Sequence, residues 1–304
     1  MGAGVSCSPA VLNENLRAGR RLSRACSQHA HLGAQLVLLV AVSACRPAPR
    51  AISPAAPTLA AIGETLSLDS KILGEKRVIN VYVPPDYATS TERYPVLYMP
   101  DGGMKEDFPH VVGSVDVSIK NGIIRPVIVV GVENTERRRD LPGATTVPEE
   151  MTAAPHAGGN EKFRAFLRDE LKPMIAARYR TTTESAIVGE SLAGLFAIET
   201  LLVEPTLFDG YIAADPSLQW NEHELARSAA ARLAWIAGPR TLYVATADEP
   251  DIQDGVAMLV SALRILAPPI VWRYEPMPDE HHGTIFPTAA LHGIRMLFAA
   301  PDAP

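Results

Sequence analysis

Ala186-Ile187-Val188-Gly189-Glu190-Ser191-Leu192-Ala193-Gly194-Leu195-Phe196-Ala197-Ile198 runs from a short apolar strand into an apolar helix across a turn built of small residues, with Ser191 at the apex. A serine raised on such a turn takes a backbone conformation that side chains rarely adopt, and the strand and helix must pass close to each other. The residues two before and two or three after it therefore have to be small, and Gly189, Ala193 and Gly194 are. The usual pattern is Gly-x-Ser-x-Gly, from which Ala193 departs by one methyl group. The stretch thus predicts a nucleophilic serine at the carboxyl end of a buried strand.

Short continuous apolar runs recur on both sides of it: Val96 to Met99, Val127 to Val132, Ser185 to Val188, Gly210 to Ala214, Thr241 to Ala245 and Ile270 to Tyr274. Runs of this length without alternation are expected of strands buried on both faces. Helical patterns lie among them, at Glu161 to Tyr179, Leu192 to Val203, Glu222 to Ile236, Gln253 to Leu266 and Thr288 to Phe298. Strand and helix in alternation predict an α/β fold, a mostly parallel sheet with helices on both faces. Ahead of these, Glu64 to Leu73 and the β-branched Arg77 to Val83, separated by Gly74-Glu75, read as an antiparallel hairpin. In an open sheet of this kind, reactive groups gather at the carboxyl ends of the strands.

A serine needs a base and the base an orienting acid, expected in the chain order serine, acid, histidine. Four histidines follow Ser191. His223 precedes the expected acid, and His292 falls inside a helix. His281 and His282 lie in Pro278-Asp279-Glu280-His281-His282-Gly283-Thr284, a turn between the last strand and the last helix, and His282 is the expected base. The Asp-Glu-His-His cluster has no helical metal-ligand spacing, so no metal is expected. The loop Thr246-Ala247-Asp248-Glu249-Pro250-Asp251 offers the acid. Asp248 is nearest to the strand end and is the expected one, with Glu249 and Asp251 as rivals and a serine/histidine dyad as the alternative. For the oxyanion, the Leu192 N–H follows the nucleophile, and Gly102 or Gly103 in Pro100-Asp101-Gly102-Gly103-Met104 can bring a second backbone N–H close to a substrate oxygen. No organic cofactor is required by this chemistry.

The chain has 304 residues, 47% of them hydrophobic and 20% charged, with a formal charge of −6. That is a globular composition, and no basic stripe marks a nucleic-acid partner. All three cysteines, Cys7, Cys26 and Cys45, fall in the first 45 residues, which excludes a disulfide framework or a cysteine metal site downstream. Arg17, Arg20, Arg21 and Arg24 precede an apolar run, Leu36 to Val42, too short to span a bilayer. Residues 1–44 are therefore expected to be a signal peptide. Val42-Ser43-Ala44-Cys45 resembles a bacterial lipoprotein processing box, which implies lipidation of Cys45; an ordinary secretory signal is the alternative. A Pro/Ala-rich tether over 45–62 and a catalytic domain over 63–300 complete the expected organisation. Removal of residues 1–44 leaves 24 basic against 33 acidic residues, so any hold on a membrane rests on the lipid.

Together the motifs resemble the Putative esterase family of α/β hydrolases, which includes feruloyl esterases, formylglutathione hydrolases and siderophore trilactone esterases. The landmarks are Tyr94-Pro95-Val96-Leu97-Tyr98 leading into Asp101-Gly102, Phe166 to Ile175 before the serine turn, Asp215-Pro216-Ser217-Leu218-Gln219-Trp220, and Glu280-His281-His282-Gly283-Thr284-Ile285 before Leu291 to Arg295. Their order and spacing carry the resemblance. It implies an α/β-hydrolase fold and hydrolysis of a small-molecule carboxylic ester through an acyl-serine, on a siderophore-type or aromatic substrate. Asn134 to Leu141 looks like an arginine-bearing stretch of the siderophore-esterase branch, which implies substrate contacts from Arg137 or Arg139, with Trp220 nearby. An acyltransferase on the same fold, or a surface lipoprotein that binds without catalysis, are the competing expectations.

Overall fold

The computed structural model describes residues 62–301. The expected leader, Cys45 and all of the tether but its last residue lie outside the described residues. In chain order the elements are β1 (Glu64–Ser70), β2 (Glu75–Tyr82), β3 (Tyr94–Met99), α1 (Phe108–Lys120), β4 (Ile128–Val132), α2 (Arg137–Asp140), α3 (Pro148–Ala153), α4 (Asn160–Phe166), a π-helical segment (Leu167–Leu171), α5 (Lys172–Arg178), β5 (Thr181–Glu190), α6 (Leu192–Val203), β6 (Gly210–Ala214), α7 (Trp220–Leu233), β7 (Arg240–Thr246), α8 (Pro250–Leu266), β8 (Ile270–Pro276) and α9 (Ile285–Leu297). Among the described residues no helix is long and apolar enough to cross a membrane.

The eight strands form one sheet in the order β1-β2-β4-β3-β5-β6-β7-β8. β1 pairs antiparallel with β2, and β2 antiparallel with β4; every pairing from β4 to β8 is parallel. The continuous apolar runs are the buried parallel strands, and their two-residue period sorts side chains to two cores. Val96, Tyr98, Ile187, Tyr211, Ala213, Leu242 and Val244 face the helices α4 to α8. Leu97, Met99, Val188, Ile212, Ala214, Tyr243 and Ala245 face α1 and α9. A large-to-small change at such fully buried positions costs on the order of 2–5 kcal/mol.

Two helical features depart from the sequence expectation. α1 is a full helix that the apolar pattern does not announce, because Phe108-Pro-His-Val-Val-Gly-Ser-Val-Asp-Val-Ser-Ile-Lys120 is rich in β-branched residues of low helix propensity. Packing decides here: Phe108, Val111, Val112 and Val115 line one face and fill the second core. The stretch between Leu141 and Asn160, whose prolines, glycines and small residues read as a flexible rim, carries the short helix α3.

One buried cation ties the hairpin to the rest of the sheet edge. Arg77 on β2 is wholly buried, and its Nη1 donates to Asp140 Oδ2 at 2.6 Å, Glu75 Oε1 at 2.8 Å and Thr135 Oγ1 at 2.9 Å. Its Nη2 donates to the Glu133 carbonyl at 3.1 Å, and the Phe163 ring lies 5.3 Å away. The strand order reverses at β3, which lies between β4 and β5, and because β3 and β5 are parallel neighbours, the loop after β3 and the turn after β5 leave the sheet at the same, carboxyl end.

Candidate active site

Ser191 sits at φ 57° and ψ −120°, between the end of β5 and the first residue of α6. The turn is held by its own backbone: Ser191 N donates to Ala214 O at 3.1 Å, while Ser191 O accepts from Leu195 N at 2.8 Å and from Ser217 N at 3.1 Å. A Cβ on Gly189 would lie 2.6 Å from the Ala193 Cβ, and one on Gly194 would lie 3.0 Å from Pro216 Cα. Small residues are thus required by the close passage of β5, α6 and the β6 loop. Ser191 Oγ lies 3.2 Å from Ser217 Oγ.

His282, in the turn between β8 and α9, places Nδ1 2.6 Å from Asp215 Oδ2. Asp215 is the first residue after β6 and is completely buried, at φ 42°. Its N–H is given to Ala245 O at 2.8 Å, and its Oδ1 accepts from Ala247 N at 2.9 Å. With Nδ1–H donating to this carboxylate, the Nε2 of His282 is the ring nitrogen left to accept a proton. The hydrogen bond to Asp215 holds the imidazole above its ordinary pKa, with Glu190 and Glu249 adding to the effect and partial burial opposing it.

The structure therefore gives His282 a different carboxylate from the one expected. Asp248 Oδ2 lies 2.7 Å from His281 Nδ1, on the surface, where the two side chains are 42% and 74% exposed. An aspartate directly after the all-apolar run Gly210 to Ala214, followed by proline, is the sequence signal for Asp215. The chain order serine, acid, histidine fits this residue as well as it fits Asp248, one strand further on.

The glycines expected to supply an oxyanion donor have another task. Gly102 N donates to Val132 O at 3.0 Å, and Gly103 N donates to Glu106 Oε2 at 2.7 Å. A Cβ on Gly102 would lie 2.2 Å from Gly131 Cα, so this residue lets the loop lie against β4. Leu192, in contrast, opens α6, and the N–H groups of a first helical turn have no intrahelical acceptor.

Of the two candidate arginines, only one is brought to the serine turn. Arg137 Nη2 donates to Glu190 O at 3.2 Å, and its Nε and Nη2 clasp Asp101 at 2.6 and 2.8 Å. Arg139 instead binds Glu75 at 2.7 and 3.1 Å and Asp140 at 2.7 Å, in the network around Arg77. Trp220 at the start of α7 donates from Nε1 to Gly143 O at 3.0 Å, so it anchors the rim while its N–H reaches Ser217 O at 3.1 Å. The next residue, Asn221, accepts from Thr146 N at 3.0 Å and donates its own N–H to Glu150 at 3.0 Å. Asn221, Glu222 and His223 all have positive φ, an unusual run for residues with side chains. Between Trp220, Leu195, Gly143 and Glu199 lies a cavity of about 90 Å³.

A family model described as Putative esterase matches residues 70–245, more than half of the chain. The chain belongs to this esterase family. Ferri-bacillibactin esterase BesA of Bacillus subtilis is 32% identical over 169 residues, covering 49% of this chain and 56% of that protein. Iron(III) salmochelin esterase of Escherichia coli O6:H1 is 25% identical over 170 residues, covering 54% and 38%. The chain spans about half the length, or less, of these curated relatives. Among solved structures, an IroE-like serine hydrolase from Shewanella oneidensis superposes with a TM-score of 0.72 at 29% identity, over 78% of this chain and 80% of that one. The mostly parallel eight-stranded sheet is thus the α/β-hydrolase fold.

Proposed function

We propose that the protein hydrolyses a carboxylic ester through an acyl-serine intermediate on Ser191. The observation that carries this reading is the buried Asp215 carboxylate 2.6 Å from His282 Nδ1, at the end of the strand that neighbours β5, where Ser191 stands on a positive-φ turn. In the reaction, Ser191 Oγ attacks the ester carbonyl as its proton passes to His282 Nε2. The negative oxygen that forms takes the Leu192 N–H, and the alcohol leaves with the proton from His282. Water, deprotonated by the same imidazole, then attacks the acyl-serine and releases the acid. Asp215 holds the tautomer and stabilises the imidazolium. Apart from the ester and water, these steps use the chain's own groups.

Some relatives of the chain bear the name siderophore esterase, and we carry that substrate class over to this chain. We also propose export: the arginine-rich start, the apolar run Leu36 to Val42 and Cys45 support a lipid-anchored form. The test is hydrolysis of a short-chain p-nitrophenyl ester by the full chain and by Ser191→Ala, with fluorophosphonate labelling alongside. Turnover and labelling that both vanish in the variant support the reading; equal turnover in both proteins overturns it.

A further inference from the structure

We infer that Glu190 sets the charge preference of the site, selecting esters that carry an ammonium group close to the scissile bond over esters that carry a carboxylate there. The inference rests on the acyl-serine reading and deepens it. Glu190 directly precedes Ser191, at the last position of β5, and Gly189 on its other side leaves it the first functional side chain of the turn. Its Oε1 is buried and has no hydrogen-bond partner among the described residues. A buried acceptor without a donor is costly, and a donor brought by a ligand relieves that cost.

The neighbouring arginine does not fill this role. Arg137 turns Nε and Nη2 to Asp101, and what it gives Glu190 is a hydrogen bond to the main-chain oxygen. Arg139 is held by Glu75 and Asp140. The groups that act electrostatically on the Glu190 carboxyl are His282, Asp107, Arg137 and Asp101, so two further acids stand on the side of the β3 loop. Burial pushes the Glu190 carboxyl up to about 7, with those two aspartates adding to the rise and His282 and Arg137 opposing it. A cation beside it favours the ionised form, whereas an anion meets like charge and an acceptor with nothing to donate above neutrality. The discrimination is therefore expected to grow as pH rises through about 7.

The experiment compares p-nitrophenyl esters of three acyl chains of similar length, ending in methyl, dimethylammonium (one N–H donor) or carboxylate, on the full-length parent, Glu190→Gln and Glu190→Asp. In the parent at pH 8, kcat/KM for the cationic ester should exceed that for the anionic ester by at least about tenfold, and the ratio should shrink at pH 6. Glu190→Gln should lose most of that ratio, and Glu190→Asp should keep most of it. Each ratio is read within one protein, so a variant of lower overall activity still reports it. A parent that prefers the anionic ester, or a ratio that Glu190→Gln leaves intact, overturns the inference while leaving ester hydrolysis standing. No Ser191-dependent turnover of any of the three esters by the parent overturns both.

Discussion

His282 takes its carboxylate from Asp215 at the end of β6, 2.6 Å away, while Asp248 at the end of β7 is paired at 2.7 Å with the neighbouring His281. Adjacent histidines on one turn thus reach to adjacent strand ends. The pairing makes opposite predictions for two aspartates of the same type. Asp215→Asn should lower kcat on a p-nitrophenyl ester by about 10²- to 10⁴-fold, since it removes the group that fixes the imidazole tautomer. Asp248→Asn should stay within about threefold of the parent, because an exposed contact of this kind contributes little. Steady-state kinetics of the two variants decide between the carboxylates.

The same hydrogen bond sets a pH dependence. Asp215 raises the pKa of His282, and the base must be neutral to accept the serine proton. The acid limb of kcat/KM on a neutral ester should therefore lie above the ordinary imidazole range, with activity gained as pH rises. Asp215→Asn should move that limb to lower pH even as it lowers the plateau. A pH-rate profile in which both proteins share one limb would count against the assignment.

Gly102 predicts a stability effect at a position that the sequence alone marks for catalysis. A methyl group there meets Gly131 Cα at 2.2 Å and Val132 N at 2.3 Å, both backbone atoms that cannot step aside. Gly102→Ala should cost about 1–3 kcal/mol or more in urea denaturation. An unchanged midpoint would show that the loop does not lie on β4 as described.

The buried guanidinium of Arg77 predicts a larger loss. Asp140→Ala leaves that charge with a reduced set of acceptors in a site closed to water, and breaking such a pair costs about 3–5 kcal/mol. Arg139→Ala, which removes a half-buried member of the same network, should lower thermal stability while leaving KM for a neutral ester close to the parent's. A raised KM with unchanged stability would instead put Arg139 in contact with substrate.

Much of this architecture is legible in the chain because the parallel strands are buried on both faces and write themselves as unbroken apolar runs. The run Thr241 to Ala245 and the observed β7 differ by a residue at each end, and Leu192 to Val203 coincides with α6. α1 escaped because its valines speak for strand locally and only tertiary packing makes them a helix. At the site, Ser191 and His282 stand on a turn and a loop whose composition announces them; the structure gives the serine a positive-φ turn and the histidine a buried carboxylate. The choice between Asp215 and Asp248 is not a local property. Both follow apolar strands, and only the path of the β8 to α9 turn decides which strand end each histidine meets. The same holds for Arg137 and Arg139, two residues apart in one short helix and turned to different acids.

The tandem His281-His282 arrangement also bears on how such a site changes over generations. Two histidine-aspartate pairs stand side by side, one buried and one exposed, drawing on consecutive strand ends. A deletion or insertion of one residue in the Asp279 to Gly283 turn would carry His282 away from Asp215, so a lineage can change the residues of this turn far more freely than it can change their number.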